Sequence, residues 1–281
     1  GEVYVPHYDS YRPPIPGNPS PDQISEWLVK ELETTIIHND PDTVAAFIAE
    51  PVSTSSGIHL APESYWQGIR EITKKYGVLM IADEVITGYG RLGEWFGTMV
   101  WDVKPDITTT AKALTSGYIP LGAVIASEKV ANAFIGGKKE TFSHLLTFGG
   151  HPVATAAALA NLEVMKEQQM VKNSKDMGTY LIERLEDLRE FKHVGDVRGG
   201  KGLLAVVELV KNKKSKEKFG DEIDLYSLMP KFLRDKGLLS YRAGDMISIC
   251  PPLMINKDEV DFIVEGIKAS IEDLESHLNS N

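Results

Sequence analysis

The chain has 281 residues, of which 42% are hydrophobic and 25% are charged, and its formal net charge at pH 7 is −10. This composition is typical of a folded globular protein, and the acidic balance argues against a nucleic-acid surface. Cys250 is the only cysteine, so no disulfide can form within the chain. We also find no signal sequence and no apolar run long enough to span a membrane, so we expect a cytoplasmic protein.

The first part of the chain predicts helices that alternate with buried strands. After a loop rich in proline, a helix is predicted over residues 21–37, and a second, amphipathic helix over residues 62–76. Apolar runs predict strands at 43–52, 78–82, 107–110 and 122–126. Because strands that alternate with helices favour a parallel arrangement, we expect an α/β domain with a largely parallel sheet covered on both faces.

The second part of the chain has a different pattern. Two helices are predicted first, at 153–171 and 174–190, and are followed by strands and helices in mixed order. The strands are expected at 193–198, 203–210, 238–241 and 246–250, and the helices at 222–236 and 257–276. This order predicts a small α+β unit. With a boundary near residue 160, the expected domains are 1–160 and 161–281.

Two residues near the ends of predicted strands indicate the chemistry. Asp83 follows the apolar run VLMIA (78–82), at the strand end where open α/β sheets bind ligands. Lys112 follows the β-branched run ITTTA (107–111), so it should emerge from the end of the next strand. A lysine amine can hold pyridoxal phosphate as an imine, and a buried carboxylate can keep the pyridine nitrogen of this cofactor protonated. The pair therefore predicts a pyridoxal phosphate site.

Each assignment has an alternative when the residues are considered alone. Asp83 could cap the loop after its strand, and Lys112 could be a surface lysine. Val85 points to the same side of an extended chain as Asp83, so it could cover one face of the cofactor ring or simply pack in the core. Another alternative is a general phosphate-binding α/β domain with Asp83 as phosphoacceptor or metal ligand, but it leaves Lys112 unexplained. No other metal site is predicted.

Six motifs occur in a fixed order along the chain. They are EPV (50–52), IADEVITGYGRLG (81–93), KPD (104–106), AK (111–112), SGYIPLGA (116–123) and TFGGHP (147–152). Together they resemble the class III, or ω-amino acid, aminotransferases, and the resemblance runs through nearly the whole chain. It implies the fold-type I architecture of pyridoxal phosphate enzymes, with a mostly parallel large domain and a C-terminal α+β small domain. It also implies that Lys112 and Asp83 are the catalytic pair.

The resemblance implies further site residues and a homodimer with shared active sites. Thr147 matches a threonine that hydrogen-bonds the cofactor phosphate of the neighbouring subunit. Glu50 matches a glutamate that pairs with a mobile arginine, and Arg242 occupies the position of that arginine. In this arrangement Arg242 binds the carboxylate of the keto acid. Ile86 stands where many relatives carry a glutamine, which resembles the pyruvate-linked branch of the family.

The implied reaction moves an amino group from an ω-amino acid or amine to a keto acid, pyruvate or 2-oxoglutarate, by a ping-pong mechanism. A decarboxylase or aminomutase of the same fold would use the same lysine and aspartate. Family members also carry a long N-terminal region, with a Gly-Ser-Glu-Ala turn for the phosphate, that has no counterpart here. We therefore expect a truncated chain that alone is unstable, or an inactive fragment that needs a companion chain.

Overall fold

The computed structural model of the protein describes residues 1–240 and 244–280. Its helices are α1 (Pro21–His38), α2 (Glu63–Lys75), α3 (Glu128–Asn132), α4 (Pro152–Glu167), α5 (Met170–Glu186), α6 (Leu225–Asp235) and α7 (Lys257–Ser280). Its strands are β1 (Ala46–Ala49), β2 (Leu79–Asp83), β3 (Ile107–Thr110), β4 (Ala123–Ala126), β5 (Val194–Arg198), β6 (Ala205–Leu209) and β7 (Met246–Ile249). The expected α/β fold is confirmed.

The first compact unit contains a four-stranded sheet in the order β1-β2-β3-β4. Strands β1, β2 and β3 run parallel, as expected, whereas β4 pairs antiparallel with β3. The segment between β3 and β4 contains a one-turn 3-10 helix and no α-helix that could form a parallel crossover, and the chain turns back on itself. The carboxyl ends of the three parallel strands consequently meet at one edge of the sheet.

Helix α1 shows how sequence determines the elements of this unit. Ser20 and Gln23 form a capping box, in which each side chain bonds the backbone of the other residue. The helix packs on α2 with its buried face. The large residues of that face recur every four positions, as a helix requires, and are Ile24, Leu28, Leu32 and Ile36.

The second compact unit is a three-stranded antiparallel sheet, β5-β6-β7, with helices α5, α6 and α7. All five residues of β6 are buried, and Ala205, Val207 and Leu209 belong to one core cluster with the apolar faces of the helices. Arg91 belongs to this unit and donates hydrogen bonds from Nη1 to the carbonyl oxygens of Leu203 (2.7 Å) and Pro251 (2.8 Å). The small α+β unit is thus stabilised by an apolar core and by buried cation–carbonyl contacts.

The main division between the units falls between helices α4 and α5. The first unit ends at Gln169, and the main part of the second unit begins at Met170. Residue 160, the expected boundary, lies within α4. Two short segments, 55–58 and 90–93, belong to the second unit although their neighbours in sequence belong to the first. Chain order alone therefore does not delimit the two units.

The strand expected at 238–241 is wrong for residues 238–240, and Tyr241 lies outside the described residues. Gly237 adopts a left-handed backbone conformation (φ +79°) directly after α6. The amide of Leu238 then donates back to the carbonyl of Leu233 at 2.8 Å, which is the helix-terminating arrangement that favours glycine. The segment is part of a helix cap, so it does not pair as a strand.

Candidate active site

Asp83 and Lys112 lie at the same edge of the first sheet, where the neighbouring parallel strands β2 and β3 end. Asp83 is the last residue of β2 and is level with Thr109 of β3, three residues before Lys112. The amide of Glu84 donates to the carbonyl of Thr109 at 2.9 Å and extends the ladder by one bond. The strand ends that carry the carboxylate and the amine are therefore fixed to each other by backbone pairing.

The carboxylate of Asp83 is half-buried and oriented by two donors. Its Oδ1 accepts hydrogen bonds from the amide of Val85 (3.1 Å) and the hydroxyl of Thr109 (3.4 Å). Within residues 1–240 and 244–280, both of these bonds go to Oδ1, so Oδ2 is available to a ligand. One oxygen held in place and one free is an arrangement that suits a carboxylate facing a protonated ring nitrogen.

Lys112 has an unusual backbone. Its φ is +41°, a left-handed conformation that costs an L-residue about 1–2 kcal/mol. A one-turn 3-10 helix, Lys112–Leu114, begins at this residue, and the side chain is exposed. Lys112 also lines a cavity of about 650 Å³ together with Thr115, Gly117 and residues 119–122, a size within the range of small-molecule pockets. Asp83 does not line this cavity, which therefore marks only the lysine side of the site.

Glu84 is a buried carboxylate whose role the sequence analysis missed. Its side chain is 0% exposed and accepts hydrogen bonds from the amides of Gly97 (2.7 Å) and Thr98 (2.8 Å) and the hydroxyl of Thr87 (2.5 Å). These bonds tie together the ends of the loop that follows Asp83. Two adjacent acids after an apolar strand were the available signal, since neighbouring residues point to opposite sides.

Tyr89 supports the strand that leads to Lys112, and this contact was also missed. Its hydroxyl donates to Thr110 Oγ1 at 3.1 Å, in a buried position at the end of β3. Its ring packs near that of Phe96, with centroids 5.6 Å apart. The loop after β2 therefore contacts both Asp83 and the end of the lysine-bearing strand.

The other expected site residues are placed as follows. Val85 is half-buried, and its amide donates to Asp83. Glu50 directly follows β1 and accepts a hydrogen bond from the amide of Thr54 (3.3 Å) and another from its hydroxyl. Glu50 lines a separate cavity of about 210 Å³ that does not include Lys112. Thr147 is exposed in the turn before α4, and Arg242 lies outside the described residues.

Neither a metal cluster nor a membrane-spanning helix is found in the described part of the chain. Residues 1–240 and 244–280 contain no group of three or more His, Cys, Asp or Glu side chains placed to hold a metal ion. Among the helices that the structure describes, none combines the length and apolarity needed to cross a membrane. The pair at the sheet edge is thus the feature on which the functional argument depends.

Comparison with known proteins identifies the family. The sequence matches the family Aminotransferase class-III over residues 4–271, which is nearly the whole chain. The chain therefore belongs to the class III aminotransferases, a family of pyridoxal phosphate enzymes with the fold-type I architecture. The resemblance carried by the six ordered motifs is confirmed.

Individual relatives agree with this assignment. The putrescine–pyruvate aminotransferase of Pseudomonas aeruginosa is 40% identical over 249 residues, covering 88% of this chain and 54% of the relative. Gamma aminobutyrate transaminase 2 of Solanum lycopersicum is 35% identical and covers 97% of this chain and 59% of the relative. A solved omega-transaminase from Thermomicrobium roseum superimposes with a TM-score of 0.87 at 42% identity, covering 90% of this chain and 56% of that chain. The chain thus spans a little over half the length of these relatives.

Proposed function

We propose that the protein acts as a pyridoxal phosphate-dependent transaminase, moving an amino group from an amine or ω-amino acid to a keto acid. The observation that carries this proposal is that Asp83 and Lys112 lie at one sheet edge, where two adjacent parallel strands end. Open α/β sheets bind ligands at this edge, and the two side chains are the amine and the carboxylate that the cofactor requires. When bound, pyridoxal phosphate supplies an electron sink for the carbon that bears the amino group.

In this proposal the residues of the chain have separate tasks. The amine of Lys112 would hold the cofactor by its aldehyde carbon. Lys112 would also move the proton at the substrate Cα as a general base. Asp83 holds the proton on the ring nitrogen through its available Oδ2. Val85 covers one ring face.

Substrate and phosphate contacts complete the proposal. Arg242 binds the carboxylate of the keto acid and pairs with Glu50 when the amino donor lacks such a group. Thr147 contacts the cofactor phosphate in the active site of a partner subunit, so the working form is a homodimer. We place this homodimer in the cytoplasm. The acceptor is a keto acid of the pyruvate or 2-oxoglutarate type. Ile86 and the pyruvate-linked Pseudomonas aeruginosa relative both favour pyruvate.

The test uses the protein expressed from its complete coding sequence and incubated with pyridoxal phosphate. Borohydride reduction followed by peptide mass spectrometry should locate the cofactor on Lys112. Lys112→Ala should abolish both this attachment and amino transfer, whereas Lys104→Ala, at an exposed position before β3, should change neither. Full transamination by Lys112→Ala would refute the assignment. Carbon dioxide release from an amino acid donor would indicate a decarboxylase instead.

A further inference from the structure

A single side chain of α4 holds the turn that begins at Lys112. Asn161 Nδ2 donates hydrogen bonds to the carbonyl oxygens of Ala113 (2.9 Å) and Leu114 (3.1 Å). Its Oδ1 accepts a hydrogen bond from the hydroxyl of Ser116 at 2.7 Å. The donor and acceptor groups of one side-chain amide thus both bond residues within the segment 113–116, directly after Lys112.

This turn needs an external support. Besides Lys112, Ser116 (φ +49°) and Gly117 (φ +78°) have left-handed backbone conformations. Inside the turn, backbone bonds run from the amide of Leu114 to the carbonyl of Ala111 (3.0 Å) and from Thr115 to Lys112 (3.2 Å). A 3-10 turn of this length has weak hydrogen-bond geometry, and a strained conformation persists only when surrounding contacts over-determine it.

Asn161 is well placed to give that support, because it is carried by a regular helix. It lies on the same face of α4 as Ala154, Ala158 and Met165, which are all buried. A helix fixes its side chains more firmly than a loop does. The other residues of this face are apolar, so the amide is the polar group that can bond the turn.

We propose that Asn161 is a positioning residue that holds the amine of Lys112 where it meets the cofactor. This inference rests on the proposed function, since it assigns Lys112 its covalent role. Asn161 acts through the backbone of residues 113–116 and does not itself touch the reacting atoms. Its loss therefore affects how readily Lys112 is attached and modified, in addition to any effect on stability.

The experiment compares two asparagines whose Nδ2 groups each donate to two backbone carbonyl oxygens. In the second unit, Asn173 Nδ2 donates to the carbonyl oxygens of Leu253 (2.7 Å) and Ile255 (2.9 Å), in a segment that carries none of the proposed site residues. Asn161→Ala and Asn173→Ala each remove two side chain–carbonyl bonds. Asn161→Leu, which keeps most of the side-chain volume, serves if the alanine variant does not fold.

Two readouts are independent of turnover. The first is the rate at which apoprotein mixed with pyridoxal phosphate acquires a borohydride-trapped group on Lys112. The second is the extent to which a small acylating reagent labels Lys112 in the apoprotein across a pH series. We expect Asn161→Ala to slow cofactor attachment about five- to tenfold, as the loss of one or two net hydrogen bonds implies, and to change the labelling profile. Asn173→Ala should lower thermal stability and leave both readouts unchanged.

The outcomes separate the two proposals. If the wild-type protein shows no cofactor on Lys112, the proposed function fails. If the wild-type protein is attached normally and folded Asn161→Ala and Asn161→Leu match its attachment rate and labelling profile, the positioning role is wrong while the function stands. If cofactor attachment were slowed equally in Asn173→Ala, the positioning role of Asn161 would also be wrong, because the slowing would then result from general destabilisation.

Discussion

Arg70 donates two hydrogen bonds to the carboxylate of Asp106, from Nη1 to Oδ2 at 2.6 Å and from Nη2 to Oδ1 at 3.2 Å. The same Oδ2 accepts the amide of Met80, so Asp106 links helix α2 to the start of β2. Burial alone raises the pKa of the Asp106 carboxyl, but the bonds from Arg70 and Met80 and the charge of Arg70 outweigh it and hold this pKa below its ordinary value.

Asp106→Asn should destabilise the protein by about 3 kcal/mol, because it leaves the largely buried side chain of Arg70 without its counterion. Since the folded-state pKa of Asp106 is lowered, the carboxylate stabilises the fold fully above its unfolded pKa of about 3.9 and progressively less as the pH falls through the folded value. Urea unfolding at several pH values should show the difference between wild type and variant shrinking in acid. Glu33→Gln, at the exposed pair with Lys75, provides a control with a much smaller effect. A pH-independent difference would contradict the argument.

Glu84→Gln should cost about 3 kcal/mol of unfolding free energy, because the new amide group would face backbone donors of Gly97 and Thr98 in a buried site. Denaturant unfolding measures this loss. Glu63→Gln, in the exposed first turn of α2, is the matched control and should change stability little. If the two variants were equally stable, the Glu84 carboxylate would not be the anchor of its loop.

Gly178→Ala tests a close approach of two backbones in the second unit. A Cβ at Gly178 would lie 2.1 Å from the carbonyl oxygen of Gly202, so the chain must shift. We expect a loss of about 3 kcal/mol, although alanine is otherwise the better helix residue. In Gly266→Ala the added Cβ would meet the flexible end of Leu238, at 2.7 Å from Cδ1, so thermal melting should show a smaller loss. Equal losses would mean that backbone contact is not the cause.

Asp83→Asn should lower transamination by the complete protein roughly 100- to 1,000-fold, the usual cost of removing one preorganised electrostatic group. Attachment of the cofactor to Lys112 should persist, because the lysine is unchanged. Kinetic assays and borohydride trapping measure the two effects. Asp102→Asn replaces an exposed aspartate in a left-handed turn that asparagine tolerates, and should be neutral. Loss of attachment in Asp83→Asn would give this aspartate a binding role instead.

Periodicity and apolar runs were sufficient to predict most elements of the fold. Helix α1 and strand β3 were predicted almost to the residue, because caps, turn residues and β-branched runs are local signals. The antiparallel direction of β4 was not predicted. It depends on the length of the preceding connection and on where the chain finds a partner edge, and neither is encoded in the strand itself.

The site was predictable where side chains follow strand ends. Asp83 and Lys112 were identified in this way, because the carboxyl ends of parallel strands meet at one edge. Local patterns do not identify the roles of Glu84 and Asn161, because Glu84 bonds the far end of its loop and the partners of Asn161 lie 47 and 48 residues earlier in the chain. The signal was a pair of adjacent acids for Glu84 and a polar residue on an apolar helix face for Asn161, and only the tertiary contacts show what each one bonds.

The interleaved path of the chain determines how the protein can be divided. Residues 90–93 are flanked in sequence by the first unit but belong to the second, and they carry Arg91. A polypeptide that starts at Met170 would lack the guanidinium that bonds the carbonyls of Leu203 and Pro251. Expressing the C-terminal unit as one contiguous segment would therefore leave these two carbonyl oxygens without their donor. Adding residues 90–93 to that segment should restore the hydrogen bonds from Arg91.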